Sequence, residues 1–330
     1  MSSQLGIAIG AHRAGAPGAA AAWLGFTLPS AVVMTALALV VGSVDVAGAG
    51  WVHGVELVAV PVVALAVLAM RRALAPDPIR LALALAGLAL ALGVGGFPGQ
   101  AAALALGAVV GLAAFGHLAP VPELGLRFGR RGVLGVTCLV TLAALLVGLP
   151  ALRDLTGSHV VALVEAMVRS GSFVFGGGHV VLPLLDEALV QPGWVSEQEF
   201  LAGYGLAQAM PGPLFTFSAY LGAISEPSPN SVGGAAIALV AIYLPSFLLL
   251  GGVLPFWSSL RRHARVQAAL VGVSAAVVGV LAAALWDPIL TTSVDGLGDV
   301  AFALGLLGLL RVVPVWAVVL LAAAAGAVVF

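Results

Sequence analysis

Long uncharged apolar runs constrain this chain more than any other feature. No Asp, Glu, Lys or Arg lies between Arg13 and Asp45, and none between Arg80 and Glu123. About 20 helical residues cross a bilayer core, so each run is long enough to span one. Only 8% of the 330 residues carry charge while 62% are hydrophobic; a soluble domain needs roughly a quarter charged to cover itself. Soluble enzymes, nucleic-acid binders and disordered scaffolds are excluded, and a net charge of −1 leaves no basic surplus to hold nucleic acid. The fold class is therefore all-α, a polytopic helical membrane protein.

The spans can be marked along the chain. Residues 18–41 hold one crossing and residues 55–70, closed by Arg71-Arg72, a second. Gly95-Gly96-Phe97-Pro98-Gly99 cuts the next run into two short helices that turn back at the break. Residues 132–152, 233–252 and 266–286 are clean crossings. By contrast, residues 159–190, 196–220 and 300–330 are each interrupted. The count is on the order of ten membrane segments. Arg13, Arg71, Arg72, Arg80, Arg127, Arg130 and Arg131 fall on one side, which marks it as cytoplasmic, and Arg261, Arg262 and Arg265 mark a later cytoplasmic loop. Arg153 and Arg169 do not fit this pattern. The N-terminus shows no cleavable signal, so insertion is expected to use the spans themselves, giving a multi-pass protein.

An internal repeat shows at a fixed shift. Leu28-Pro29-Ser30 recurs as Leu244-Pro245-Ser246, and the same offset carries Gly6 to Gly222, Gly18 to Gly234 and Pro98 to Pro314. The Arg pattern makes the copies antiparallel, two inverted-topology repeats as in many transporters. The expected division is residues 1–131 for a first, N-terminally incomplete repeat, 132–157 for a linking helix and 158–330 for the second repeat. In this register about 60 residues matching the start of the second copy would precede Met1.

Two breaks in the second repeat carry the candidate chemistry. Gly176-Gly177-Gly178 follows Ser172 in an apolar segment, and glycines let the backbone unwind and bring N–H groups up to a ligand. A helix beginning near His179 would aim its positive dipole end at that break, which suits an anion. The alternative is close helix packing through small residues. Gln208-Ala209-Met210-Pro211-Gly212-Pro213 forms the second break; its prolines remove backbone donors and free upstream carbonyls, and Thr216 adds a hydroxyl. The expected substrate-binding set is Ser172, Gly176, Gly177, Gly178, Gln208, Pro211, Gly212, Pro213 and Thr216.

His179, Asp186 and Glu197 are the candidates for ion coupling, since an intramembrane ionisable group marks function by default. For Glu197 the competing reading is helix capping, with Ser196 as N-cap and Glu199 at N3. The histidines are scattered with no paired metal spacing, so no metal or other cofactor is expected. No nucleophile elbow, Walker loop or CxxC occurs, which argues against an enzyme. Gly107-Ala108-Val109-Val110-Gly111 is a GxxxG helix-packing element.

At these motifs the chain resembles the chromate transporter family. The resemblance runs through Phe175-Gly176-Gly177-Gly178-His179-Val180-Val181-Leu182-Pro183, Gly193-Trp194-Val195-Ser196-Glu197, Phe200-Leu201-Ala202-Gly203 and Ala207-Gln208-Ala209-Met210-Pro211-Gly212-Pro213-Leu214-Phe215. It implies secondary active export of chromate, with sulfate as the related oxyanion, across the cytoplasmic membrane. The partners implied are the oxyanion and the lipid bilayer, no nucleic acid, with a homo-oligomer allowed. Long members of the family carry a glycine motif and a Pro-Gly-Pro motif in each half; this chain keeps only the second of each, and His179 stands where a tyrosine is expected. The alternative function is a non-transporting or partner-dependent fragment of such a transporter.

Overall fold

The computed structural model describes residues 2–42, 49–116, 132–174, 178–260 and 263–330. Arg127, Arg130, Arg131, Arg261 and Arg262, used above to orient the chain, lie outside the described residues, as do Gly176 and Gly177. Among the described residues the secondary structure is helical throughout. Six helices are long and apolar enough to cross a membrane, and four shorter apolar helices accompany them.

The first of these, α1 (Ser2–Val41), is a hairpin rather than a rod. It reverses at Ala14 and Gly15, and Gly15 sits at φ +65°, a left-handed conformation that a residue with a Cβ resists. Next come α2 (Gly50–Leu74), α3 (Pro78–Val94), α4 (Gly96–Ala114) and α5 (Gly132–Thr156). Asp77 caps α3 by accepting the Arg80 N–H at 2.9 Å, with Pro78 at the first helical position where no donor is lost. Gly95, at φ +72°, makes the reversal from α3 into α4 that the Gly-Gly-Phe-Pro-Gly run announces.

The middle of the chain is short pieces: α6 (His159–Ser172), α7 (Val181–Leu185), α8 (Glu197–Ala209) and α9 (Phe217–Ile224). Straight helices resume with α10 (Ser231–Val253). After the single turn α11 (Trp257–Leu260) come α12 (Ala264–Ala284), the turn α13 (Thr291–Ser293), α14 (Leu297–Leu309) and α15 (Val315–Val329).

Packing is reciprocal. Helix α12 lies against α3 and α4, while α2 lies against α14 and α15. Both seams are made of small residues, the usual means by which membrane helices approach without a solvent-driven force. A Cβ on Gly107 would come 2.7 Å from the Gly272 carbonyl oxygen, and one on Gly111 would fall on the Ala268 carbonyl. In the other seam a Cβ on Gly50 would come 2.6 Å from the Gly326 carbonyl, and one on Gly54 would fall on the Ala322 carbonyl. The expected GxxxG thus packs α4, and Gly50 and Gly54 form a second one on α2.

The hairpins match too, with one correction. Gly10 meets Gly18 across the α1 turn as Gly222 meets Gly234 across the α9–α10 turn, so the counterpart of Gly222 in the first hairpin is Gly10, not Gly6. A Cβ on Gly6 would touch nothing. The second turn is longer and carries Pro227 and Pro229, which shifts the register before it and leaves Leu-Pro-Ser in step after it.

The main core joins α1, α6 to α10 and the middle of α2 at Ala59 and Val63. All three tyrosines of the chain, Tyr204, Tyr220 and Tyr243, are buried there with Phe200 and Phe217. Arg153 and Arg169, which break the basic-residue pattern, both pair with buried Glu165, at 3.2 Å and 3.4 Å. Arg153 also pairs with Asp154 at 3.0 Å, so the two cations are held by two acids and have a packing role of their own.

Candidate functional site

Two helical hairpins lie side by side. The first runs down α6 and returns through residues 178–190; the second runs down α8 and returns through α9. Their outer ends are tied together: the rings of His159 and Trp194 meet edge to face at 4.4 Å, and the Trp194 carbonyl accepts the Glu226 N–H at 2.9 Å. Ser170 Oγ donates to the Leu184 carbonyl at 3.3 Å, closing the first hairpin, and the Tyr220 hydroxyl donates to the Glu199 carbonyl at 3.2 Å, closing the second.

The two hairpins meet just beyond the two breaks, where residues 178–180 contact residues 214–216. A Cβ placed on Gly178 would lie 3.4 Å from the Leu214 Cβ, ordinary contact distance. The proline-rich break is held from outside its own repeat: Ser30 Oγ donates to the Pro211 carbonyl at 2.7 Å, and a Cβ on Gly212 would fall on the same hydroxyl. The Pro213 carbonyl accepts both the N–H and the hydroxyl of Thr216, at 3.0 Å and 2.9 Å. The carbonyls of Pro211 and Pro213 themselves are thereby satisfied, as buried backbone groups must be.

One donor at the break is not. Gln208 Nε2, in the last turn of α8, is buried without a hydrogen-bond partner. Gln208, Met210 and Pro211 line an open groove of about 520 Å³ shared with Val315, Trp316 and Leu320 of α15, the last two of them exposed. An unmatched buried amide costs roughly 1–3 kcal/mol, which a ligand with acceptor oxygens would recover.

The other expected residues divide. Ser172 spends its hydroxyl on the Val168 carbonyl of its own helix, at 2.6 Å. His179 Nδ1 lies 2.7 Å from the Tyr204 hydroxyl, so the histidine at the expected tyrosine position is matched by a buried tyrosine from α8. Asp186 and Glu197 do not reach the breaks; with Glu187 and Asp287 they line a separate cavity of about 340 Å³. Ser196 and Glu199 form a full capping box at the start of α8, and Glu197 instead accepts the Thr292 hydroxyl. Ser30 was legible only as part of a repeated triplet, and Glu165 only as the i, i+4 partner of Arg169.

A helical membrane protein whose interrupted helices meet one another, one of the breaks carrying an unpartnered amide, is the class of molecule these features define. The chain belongs to the chromate transporter family, whose profile (Chromate transporter) matches residues 1–112 and 161–327. It is 31% identical over 166 residues to the chromate transport protein of Pseudomonas aeruginosa, covering 45% of this chain and 38% of that one. It is 29% identical over 118 residues to a probable chromate transport protein of Synechococcus elongatus, covering 36% of this chain and 29% of that one. The uncharacterized transporter YwrB of Bacillus subtilis is 34% identical over 121 residues, covering 36% of this chain and 59% of YwrB. The matches therefore span less than two thirds of each of these relatives. No solved structure matches the chain significantly.

Proposed function

We propose that this protein is a secondary active transporter that exports chromate, or a related tetrahedral oxyanion such as sulfate, across the cytoplasmic (inner) membrane. The observation that carries this reading is the meeting of two helix breaks beside the unpartnered Gln208 amide, within a member of the chromate transporter family. Chromate and sulfate are dianions with acceptor oxygens only. Amide and backbone N–H donors suit them, and carboxylates at the breaks would repel them. Asp186 and Glu197 stand apart from the breaks, in keeping with this.

In this reading Gln208 Nε2 and the N–H groups of the glycine break bind the oxyanion, while Ser30 fixes the Pro211 backbone opposite. Residues 1–131 and 158–330 act as two inverted repeats joined by residues 132–157, and the reciprocal α2–α15 and α4–α12 seams support that division. A chromate-sensitive host expressing the chain should accumulate less labelled chromate than the same host with an empty vector. Equal accumulation refutes export. Competition by unlabelled sulfate reads out whether the site distinguishes the two anions.

A further inference from the structure

A second chemical cluster lies outside the breaks, in the first two turns of α2. His53 and Glu56 share one face of the helix, with His53 Nδ1 3.6 Å from Glu56 Oε2. On its other side His53 Nε2 lies 3.1 Å from Asp299 Oδ1 at the start of α14. Asp299 is itself fixed, because its Oδ2 accepts the backbone N–H groups of Asp295 at 2.9 Å and Gly296 at 3.0 Å. The Phe330 ring stands edge-on to the imidazole at 4.5 Å. The carboxylates engage opposite ring nitrogens, so they do not converge on one point as metal ligands would.

Exposure separates the two ends of this relay. The His53 side chain keeps 23% of its accessible surface and that of Glu56 only 5%. Glu56 Oε1 is buried with no hydrogen-bond partner, and Glu56 lines a cavity of about 220 Å³ with His53, Gln198 and Asp295. Glu197 on α8, Asp295 before α14 and the Tyr220 hydroxyl on α9 also face this carboxyl. From the other elements against α2, α15 brings no ionisable side chain, α12 only Arg265 in its first turn, and residues 285–290 only Asp287.

The scaffold does not require an imidazole–carboxylate cluster at this place. In the reciprocal seam Leu83 of α3, Val271 of α12 and Phe115 after α4 stand where Asp299, His53 and Phe330 stand in this one, and the charge nearest them, Arg80, lies over the Phe115 ring at 5.0 Å and pairs with Asp77. A purely structural ion pair buried here would also be expected to satisfy both carboxylate oxygens.

We propose that His53 and Glu56 form the proton-carrying site that couples the transport cycle to the proton gradient, with Asp299 as a positioning residue. This rests on the transport reading above. Asp299 takes the Nε2–H and turns the Nδ1 lone pair toward Glu56. A proton arriving from the exposed rim makes the imidazolium. Its passage to Glu56 breaks one N–H bond at Nδ1 and forms one O–H bond at Oε2, leaving both groups neutral with no electrons exchanged. The change reaches the breaks through α8: Val55 fills the space where a Cβ on Gly205 would stand, one helical turn before Gln208.

Purified full-length protein in lipid nanodiscs, titrated while the infrared band of protonated carboxyl groups is followed, tests the site without any substrate. A titrating band should be lost in Glu56→Gln and its midpoint moved in His53→Gln and in Asp299→Asn, with thermal unfolding confirming that each variant is folded. In proteoliposomes Glu56→Gln should lose about tenfold or more of the chromate accumulation driven by a pH gradient, yet keep chromate–chromate exchange. A band that survives in Glu56→Gln overturns the proposal, and so does gradient-driven accumulation at the wild-type rate. If the wild-type chain moves no chromate in either assay, the transport reading falls, and the infrared titration still decides whether Glu56 and His53 exchange a proton.

Discussion

Against α12, Gly107 and Gly111 of α4 sit on Gly272 and Ala268; against α2, Ala322 and Gly326 of α15 sit on Gly54 and Gly50. The backbones approach equally closely in both places. What lies beside them differs: Leu83, Val271 and Phe115 in one seam, Asp299, His53 and Phe330 in the other, with Glu56 buried next to them. The same helical frame is kept twice, with an imidazole between carboxylates on one copy and a single arginine, Arg80, over Phe115 on the other. Small residues at a seam answer to packing, whereas the flanking positions are free to be apolar or ionisable without altering the approach of the helices.

This comparison can be broken most forcefully at the seams themselves. Gly272→Leu and Gly54→Leu both drive a side chain into a facing carbonyl, and each should lower stability by about 3 kcal/mol or prevent insertion, read as unfolding in detergent micelles. A seam that accepts leucine without loss would show that the two are not equivalent. Next comes exchange of the chemistry: His53→Val, Glu56→Ser and Asp299→Leu together copy the apolar side onto the ionisable one. Stability should stay within about 2 kcal/mol or rise, as when buried ion pairs give way to apolar groups, while pH-driven chromate accumulation disappears.

At the breaks, Gln208→Ala should reduce chromate transport by about tenfold, the loss of one buried hydrogen bond of roughly 1.4 kcal/mol, with the unfolding temperature unchanged. Wild-type transport by that variant would remove the amide from the site. The smallest effect is expected at the start of α8, where Ser196→Ala breaks the capping box and should cost about 1 kcal/mol, measured as unfolding, with transport retained.

Much of this architecture was legible in the residues. Gly95 to Gly99, Pro211 to Pro213 and the uncharged runs announced the breaks and the spans because glycine, proline and charge act locally on a helix in lipid. Leu28-Pro29-Ser30 and its copy marked the repeat, and Ser196 with Glu199 marked the start of α8. The hairpin register was misread at Gly6 because turn lengths differ between the copies, and a fixed offset cannot see an insertion. Glu56 passed unnoticed inside an apolar run, since His53 is its only near neighbour in sequence and Asp299 arrives from α14 by tertiary packing alone. The role of Glu165 was hidden for the same reason, one of its two cations coming from α5. Candidate residues at the breaks can be named from the sequence as a group, but that Gln208 keeps an unpartnered donor depends on contacts that only the folded chain makes.

The glycine seams have a mechanical consequence. Where main chains touch with no side chains between them, there is no cushion that can rearrange, so α4 with α12, and α2 with α15, must move as welded beams. Any opening and closing of the molecule then falls to joints where the helical ladder is already cut, as at residues 210–213, and Ser30 is the latch across that joint.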